Sequence, residues 1–275
     1  MEYSFKYSDT HSYFSDATGP KEQGASNSSR RGSASFAYSD SFEETCERYT
    51  RGYPKGTGLA KELSLQLTPF LRTVQGMKRG FTPQRYAGGN FILSNYVRGI
   101  PEVCSVMSPI VSKKFASIIV NNTASCGVEA ETLLRRGVVT LALADILQSN
   151  GYRTSIKVCF ATGAGNNKLS CIIDVKPFHQ TPDLDRLAFF LADPSAFRRL
   201  FFSFLETKLD AIARRNMQVD YGNYGHPVEL PKTEIGDKDI YLGCQDWHNQ
   251  AWHTTDGAIA WIKETLKRYG IVFHG

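Results

Sequence analysis

The stretch from Ser112 to Phe160 constrains the chain more than any other. Phe115-Ala-Ser-Ile-Ile-Val120 is short, apolar and β-branched, the pattern of a buried strand. Asn121 to Gly127 breaks that run with small polar residues suited to a loop and a helix cap. From Val128 to Asn150 apolar residues return at helical steps through Ala130, Leu133, Leu134, Gly137, Val138, Leu141 and Ala142. Glu129 and Glu131 stand at the positive end of the helix dipole, and Glu131 is spaced to pair with Arg135. Gly137, within the apolar stripe, predicts close packing of this helix against a sheet. Gly151 supplies the C-terminal cap, and Arg153 to Phe160 reads as a second strand. Strand, loop, helix and strand make one β-α-β unit.

Length and composition fit a large folded domain: 275 residues, 41% hydrophobic and 12% aromatic. No apolar run approaches the roughly 18 residues that span a bilayer, and Met1 to Lys6 lacks the apolar segment of a signal peptide. Cys46, Cys104, Cys126, Cys159, Cys171 and Cys244 show no paired spacing. The expectation is a soluble protein of a reducing cytoplasm, without a membrane partner.

Around the central unit the chain divides into three expected parts. Residues 1–40 are rich in Ser, Gly, Tyr and Asp and read as a flexible N-terminal arm. Residues 41–99 form a basic, aromatic appended layer. It opens with a helix capped by Ser41 and Glu44 and closed by Gly52 and Pro54, then passes a short helix near Lys61 to an irregular, glycine-rich Gly76–Gly99. Residues 100–275 form the α/β core. Leu169 to Val175 pairs antiparallel with Arg153 to Phe160 across a Gly163–Lys168 turn, and Asp183 to Leu191 is a short helix. A longer helix runs from Asp193-Pro194 toward Arg215 with Ile212 on its apolar face, followed by a Tyr221–Asp237 loop and a strand at Asp239–Leu242. A last helix starts at Thr255, and Ile271 to Phe273 ends the chain as a strand. The fold class is α/β: a β-α-β core of mixed sheet with flanking helices, plus an irregular N-terminal extension.

Local chemistry points away from catalysis. Gly-x-Ser-x-Gly is absent, and no Cys or Ser carries a recognised nucleophile context, so the chain reads as a non-enzyme without a cofactor. Gly163 to Lys168 lacks the spacing and closing Lys-Ser/Thr of a phosphate loop and is explained by a hairpin turn. Cys244, His248 and His253 are close in sequence but fall short of the four ligands zinc requires. Asn121, Thr123 and Ser125 have the alternating spacing of the Asp-x-Ser-x-Ser metal loop of von Willebrand factor type A domains, which the β-α-β order also resembles. Asn stands where those domains have the first acidic ligand, so no metal is expected here.

Charge is placed unevenly. Between Arg48 and Gly99, Arg48, Arg51, Lys55, Lys61, Arg72, Lys78, Arg79, Arg85 and Arg98 face the single acid Glu62. From Asn216 to Asp256, Lys232 and Lys238 face Asp220, Glu229, Glu234, Asp237, Asp239, Asp246 and Asp256. The basic stretch interleaves cations with rings, the combination that holds single strands by tracking phosphates and stacking bases. The candidate nucleic-acid-binding set is Arg48, Tyr49, Arg51, Tyr53, Lys55, Lys78, Arg79, Phe81, Arg85, Tyr86 and Arg98, joined by Lys113 and Lys114. The acidic segment is the candidate face for a protein partner. A protein-protein interaction module without a nucleic-acid role is the alternative.

Several short motifs are shared with a known group. They are Ser41-Phe42-Glu43-Glu44-x-Cys46 leading to Gly52-Tyr53-Pro54-x-Gly56, Tyr96-x-x-Gly99-x-Pro101, and Val120-Asn121 through Ser125-x-Gly127-Val128. Arg135-Arg136-Gly137, Gly151-Tyr152 and Ala258-x-x-Trp261-Ile262 continue the series. From about residue 40 to 270 the chain resembles tailed-phage proteins that include single-stranded-DNA-binding cofactors of a phage RNA polymerase. That resemblance implies single-stranded DNA and the phage polymerase as partners. It transfers no DNA-contact residue by motif, so the candidate set above rests on charge and aromatics.

Overall fold

The computed structural model describes residues 1–22, 24–54, 90–100, 104–105, 114–149, 152–180, 184–245 and 252–268. Its strands are β1 (Glu2–Tyr7), β2 (Asn90–Phe91), β3 (Cys104–Ser105), β4 (Lys114–Asn121), β5 (Tyr152–Ala164), β6 (Asn167–Lys176), β7 (His226–Pro227) and β8 (Ile240–Leu242). Its helices are α1 (Thr10–Thr18), α2 (Ser28–Arg31), α3 (Ala34–Ala37), α4 (Phe42–Arg51), α5 (Leu93–Val97), α6 (Ala130–Ser149) and α7 (Leu184–Ala192), then α8 (Phe202–Lys208), α9 (Ala211–Asn216) and α10 (Thr255–Arg268).

The β-α-β unit forms as the periodicities require. β4 and β5 pair in parallel from Lys114↔Tyr152 to Asn121↔Cys159, joined by α6. β5 then turns at Gly165 (φ +58) and Asn166 into antiparallel β6. The main sheet is mixed, with order β1-β6-β5-β4-β8 and β7 alongside β5. Ala116, Ile118 and Val120 point to the helix-covered face, where they join a core that runs from Tyr13 to Leu266. Ile119, Cys159, Ala161 and Ile172 point the other way, under Leu230, Val228, Ile235 and Tyr241.

α6 is apolar on nearly all sides because it is covered on nearly all sides, by the sheet, α7 and α10. Gly137 makes the expected close approach, but to a helix end rather than to the sheet. A Cβ there would lie 2.5 Å from the Leu191 carbonyl oxygen and 2.7 Å from Ala192 Cα. Arg135 likewise turns away from Glu131: its Nη1 donates to the carbonyls of Trp252 (2.9 Å) and His253 (2.7 Å), tying α6 to the approach of α10.

Residues 1–40 are not the expected flexible arm. β1 is the sheet's edge strand, parallel to β6 from Glu2↔Lys168 to Tyr7↔Ile173. Tyr13 of α1 is fully buried among Phe160, Phe190 and Phe204. The Ser/Gly segment after α1 is held by polar groups from the opposite half of the chain. The buried Glu206 carboxylate accepts from Ser29 N (2.9 Å) and Ser29 Oγ (2.5 Å), and is bridged by Lys21 and Tyr224. Arg199 donates to the carbonyls of Ser29 (3.1 Å), Gly32 (3.0 Å) and Ser39 (2.8 Å). Composition favoured a flexible arm, but these long-range hydrogen bonds satisfy its backbone.

The long helix after Asp193 also departs from expectation. Asp193 accepts from Ser195 N (2.8 Å), as a cap should. A π-helical turn at Ala196–Phe201 then carries Arg198 and Arg199 inward together. The helix stops at Leu209, whose ψ of 135° is extended, and Asp210 caps α9 through Ala213 N (2.8 Å). Beyond that break Ile212 is 69% exposed, not on the core. The regions near Lys61 and the strand expected at Ile271 to Phe273 lie outside the described residues.

Candidate nucleic-acid interface

Sheet parity builds the candidate surface. With Ala116, Ile118 and Val120 turned to the helices, Phe115 and Ser117 must face the other side. The parallel register sets Arg153 beside Phe115, Ser155 beside Ser117 and Lys157 beside Ile119. The upper half of this face is covered by the 228–241 segment, whereas Phe115 remains 52% exposed. β8 pairs with β4 only at Ile118–Val120, so the Lys114–Ser117 end lacks that neighbour.

After β6, a turn closed by Gln180 N donating to the Pro177 carbonyl (3.3 Å) brings Phe178 over the same corner. Phe178 is 38% exposed and meets Phe115 edge to face, with centroids 5.2 Å apart at 88°. Lys114 places its ammonium 5.3 Å from the centre of the Tyr152 ring. Arg153 is half-buried beside Phe115 and forms no ion pair with another described residue. Lys157 is neutralised in part by Asp174 at 3.6 Å. The corner offers two accessible rings in contact with each other and the Arg153 cation on their flank.

Of the candidate set, the structure spends three members on the fold. Arg48 donates through Nη1 to the Tyr38 carbonyl (2.8 Å) and to Asp193 Oδ2 (3.0 Å), and through Nη2 to Glu44 Oε1 (2.7 Å). Tyr49 is buried, stacked on Phe14 at 3.9 Å and 7°, with Phe189 and Phe190 against its edge. Tyr53 is 2% exposed beneath the Arg48 guanidinium. Neither ring can stack on a base while the core is intact, which corrects their assignment. Arg51 is exposed and only loosely paired with Glu47 at 3.9 Å, and Arg98 is exposed. Lys114 is in phase with Ala116 and Ile118 and lies over Tyr152, on the face opposite Phe115. Lys55, Lys78, Arg79, Phe81, Arg85, Tyr86 and Lys113 lie outside the described residues.

Sequence reasoning passed over Phe115, Phe178 and Arg153. Their signal was parity: Phe115 falls out of phase with Ala116, Ile118 and Val120, and Arg153 shares its phase across the pair.

The loop at the opposite end of β4 opens on a fully engaged side chain, that of Asn121. Asn121 Oδ1 accepts from Thr123 Oγ1 (2.7 Å) and Thr123 N (3.4 Å), while Nδ2 donates to the Val228 carbonyl (2.8 Å) and to Tyr241 Oη (3.2 Å). Its first position is thereby an Asx turn rather than an ion ligand. Among the described residues no three His, Cys, Asp or Glu side chains gather as a metal would need.

A family model described as a domain of unknown function (DUF7192) matches residues 1–272. The chain belongs to the DUF7192 family. No curated protein and no solved structure matches it. The DUF7192 match takes in β1 and α10 together, as the shared core of these elements requires. No helix among the described residues is long and apolar enough to cross a membrane.

Proposed function

We propose that the protein binds single-stranded DNA and serves transcription by recruiting a phage RNA polymerase. The observation that carries the DNA reading is the exposed Phe115–Phe178 pair with Arg153 on its flank. Base stacking on such rings contributes about 1–3 kcal/mol per base without demanding sequence, and flanking cations follow the phosphates. A duplex hides the faces of its bases, so the corner favours a single strand.

Arg51 and Arg98, exposed in the structure, and the basic stretch that includes Lys55, Lys78, Arg79, Phe81, Arg85, Tyr86 and Lys113 extend the same proposal. The polymerase role follows from the tailed-phage resemblance. Exposed Glu229, Asp237 and neighbouring acids supply a face of opposite charge for a protein partner.

Fluorescence anisotropy with a labelled oligonucleotide, single-stranded against duplex, tests the DNA reading. The expected result is tighter binding of the single strand and a loss of about 1–3 kcal/mol in Phe115→Ala or Phe178→Ala. Equal affinity of both variants and wild type would remove the corner from the account.

A further inference from the structure

Arg136, Arg198 and Arg199 are all buried and, among the described residues, none has a carboxylate within ion-pair distance. In two of them every guanidinium nitrogen has an acceptor. Arg136 donates to the carbonyls of Asn121, Leu242 and Gly243, and its Nε lies 3.2 Å from the Gln245 amide oxygen once that amide is oriented to accept. Arg199 engages Ser39 Oγ through Nε and three carbonyls through its other nitrogens.

Arg198 differs. It is 4% exposed; Nη1 donates to the Phe36 carbonyl (2.8 Å) and Nη2 to the Val128 carbonyl (2.7 Å), but Nε has no acceptor. Burial lowers its pKa, so the cation is held at a cost that an anion would offset. Its guanidinium lies 4.5 Å from the centre of the Phe36 ring. Arg198 also lines a cavity of about 420 Å³ at the end of β4 where Thr123 and Ser125 lead into α6. The crevice beyond the carboxyl ends of parallel strands is where open α/β sheets take ligands. The cavity walls are rings: Phe36, Phe197, and Phe202 stacked on Tyr224 at 3.9 Å and 1°. The exposed Cys126 and His226 complete its lining.

We infer that this cavity is a binding site for a nucleoside monophosphate group, its base against the aromatic walls and its phosphate drawn to Arg198. The volume falls within the range of about 300–1,000 Å³ typical of small-molecule sites. The planar ring answers the walls, and the charge answers Arg198, buried at the lining with no carboxylate partner among the described residues. The site is at the far end of β4 from Phe115 and stands independently of the single-strand reading.

Alkylation of Cys126 by iodoacetamide in the full chain, read by peptide mass spectrometry, tests it alongside thermal melting. Millimolar dAMP or dTMP should slow Cys126 labelling and raise Tm, with the matching nucleosides about tenfold or more weaker for want of the charged hydrogen bond. Arg198→Met should lose both effects. Because Arg198 also holds the Phe36 and Val128 carbonyls, Cys126→Trp provides a second variant, filling the lining from an exposed position. It should keep the unliganded Tm and lose the nucleotide-induced shift. Phe115→Ala should leave the protection unchanged, which separates this site from the sheet corner. Protection by a 5′-phosphorylated but not a 5′-hydroxyl oligonucleotide identifies the end of a strand as the source; protection by free nucleotide alone identifies a metabolite. Unslowed labelling at saturating nucleotide, or equal protection by nucleoside, by both oligonucleotides or by inorganic phosphate alone, overturns the inference.

Discussion

Gly137 and Leu191 meet backbone to backbone: the hydrogen of Gly137 occupies the space where a Cβ would lie 2.5 Å from the Leu191 carbonyl oxygen. The obstacle is main chain on a helix end, which cannot rotate away as a side chain would. Gly137→Ala should therefore destabilise the fold by about 1–3 kcal/mol through overpacking, although alanine is the better helix former. Urea unfolding of the two proteins checks this, and a more stable alanine variant would show that α6 and α7 part freely.

Glu206 fastens the segment between α1 and α2. Glu206→Ala leaves the Lys21 ammonium and the Tyr224 hydroxyl without their carboxylate, a loss of about 3–5 kcal/mol for a buried pair broken on one side. Trypsin should then cut at Lys21, Arg30 and Arg31 well before it attacks the rest of the chain. If these sites stay as resistant as in wild type, the anchoring lies elsewhere.

Lys176 is buried, donating from Nζ to the Thr154 carbonyl at 2.6 Å, and burial lowers its pKa to about 8 from the usual 10.5. Between those values the unfolded chain holds a proton that the folded chain has released, so wild-type stability gains with rising pH across that window. Lys176→Met has no such proton. The stability difference, variant minus wild type, should fall by about 1–3 kcal/mol between pH 7 and pH 10. A difference that stays constant would mean that Lys176 titrates alike in both states.

Salt separates stacking from charge at the sheet corner. If Arg153, Lys157 and one further cation contact phosphates, the slope of log affinity against log salt should be about −2, at roughly −0.7 per phosphate. Arg153→Ala with Lys157→Ala should flatten it by about 1.4. Phe115→Ala should weaken binding with little change in slope, because stacking releases no counterions. Equal slopes in wild type and the double variant would exclude these two cations from the interface.

What could be read from the sequence was local. Periodicity disclosed β4, α6 and β5, the glycine-bearing turn disclosed the β5–β6 hairpin, and Asp193-Pro194 disclosed a helix start. Residues 19–35 misled because their partners, Arg199 and Glu206, are more than a hundred residues away. Tyr49 and Tyr53 misled for a related reason: a ring among cations has the same composition whether it faces water or Phe14. Phe115 sat inside an apolar run, where only its phase against Ala116 and Ile118 told it from the core. The Arg198 cavity draws its lining from Ser28 to Pro227, a spread that no local motif records.

The pairing of β1 with β6 also sets a timetable. Glu2 waits for Lys168, and Tyr7 for Ile173, before its ladder can form. At synthesis rates of about 5–20 residues per second, the nascent strand spends roughly ten to thirty seconds on the ribosome without its neighbour. Its alternating Glu2, Ser4 and Lys6 keep that waiting strand polar on one side. In the cell, a strand made well before its partner is among the last to find its place.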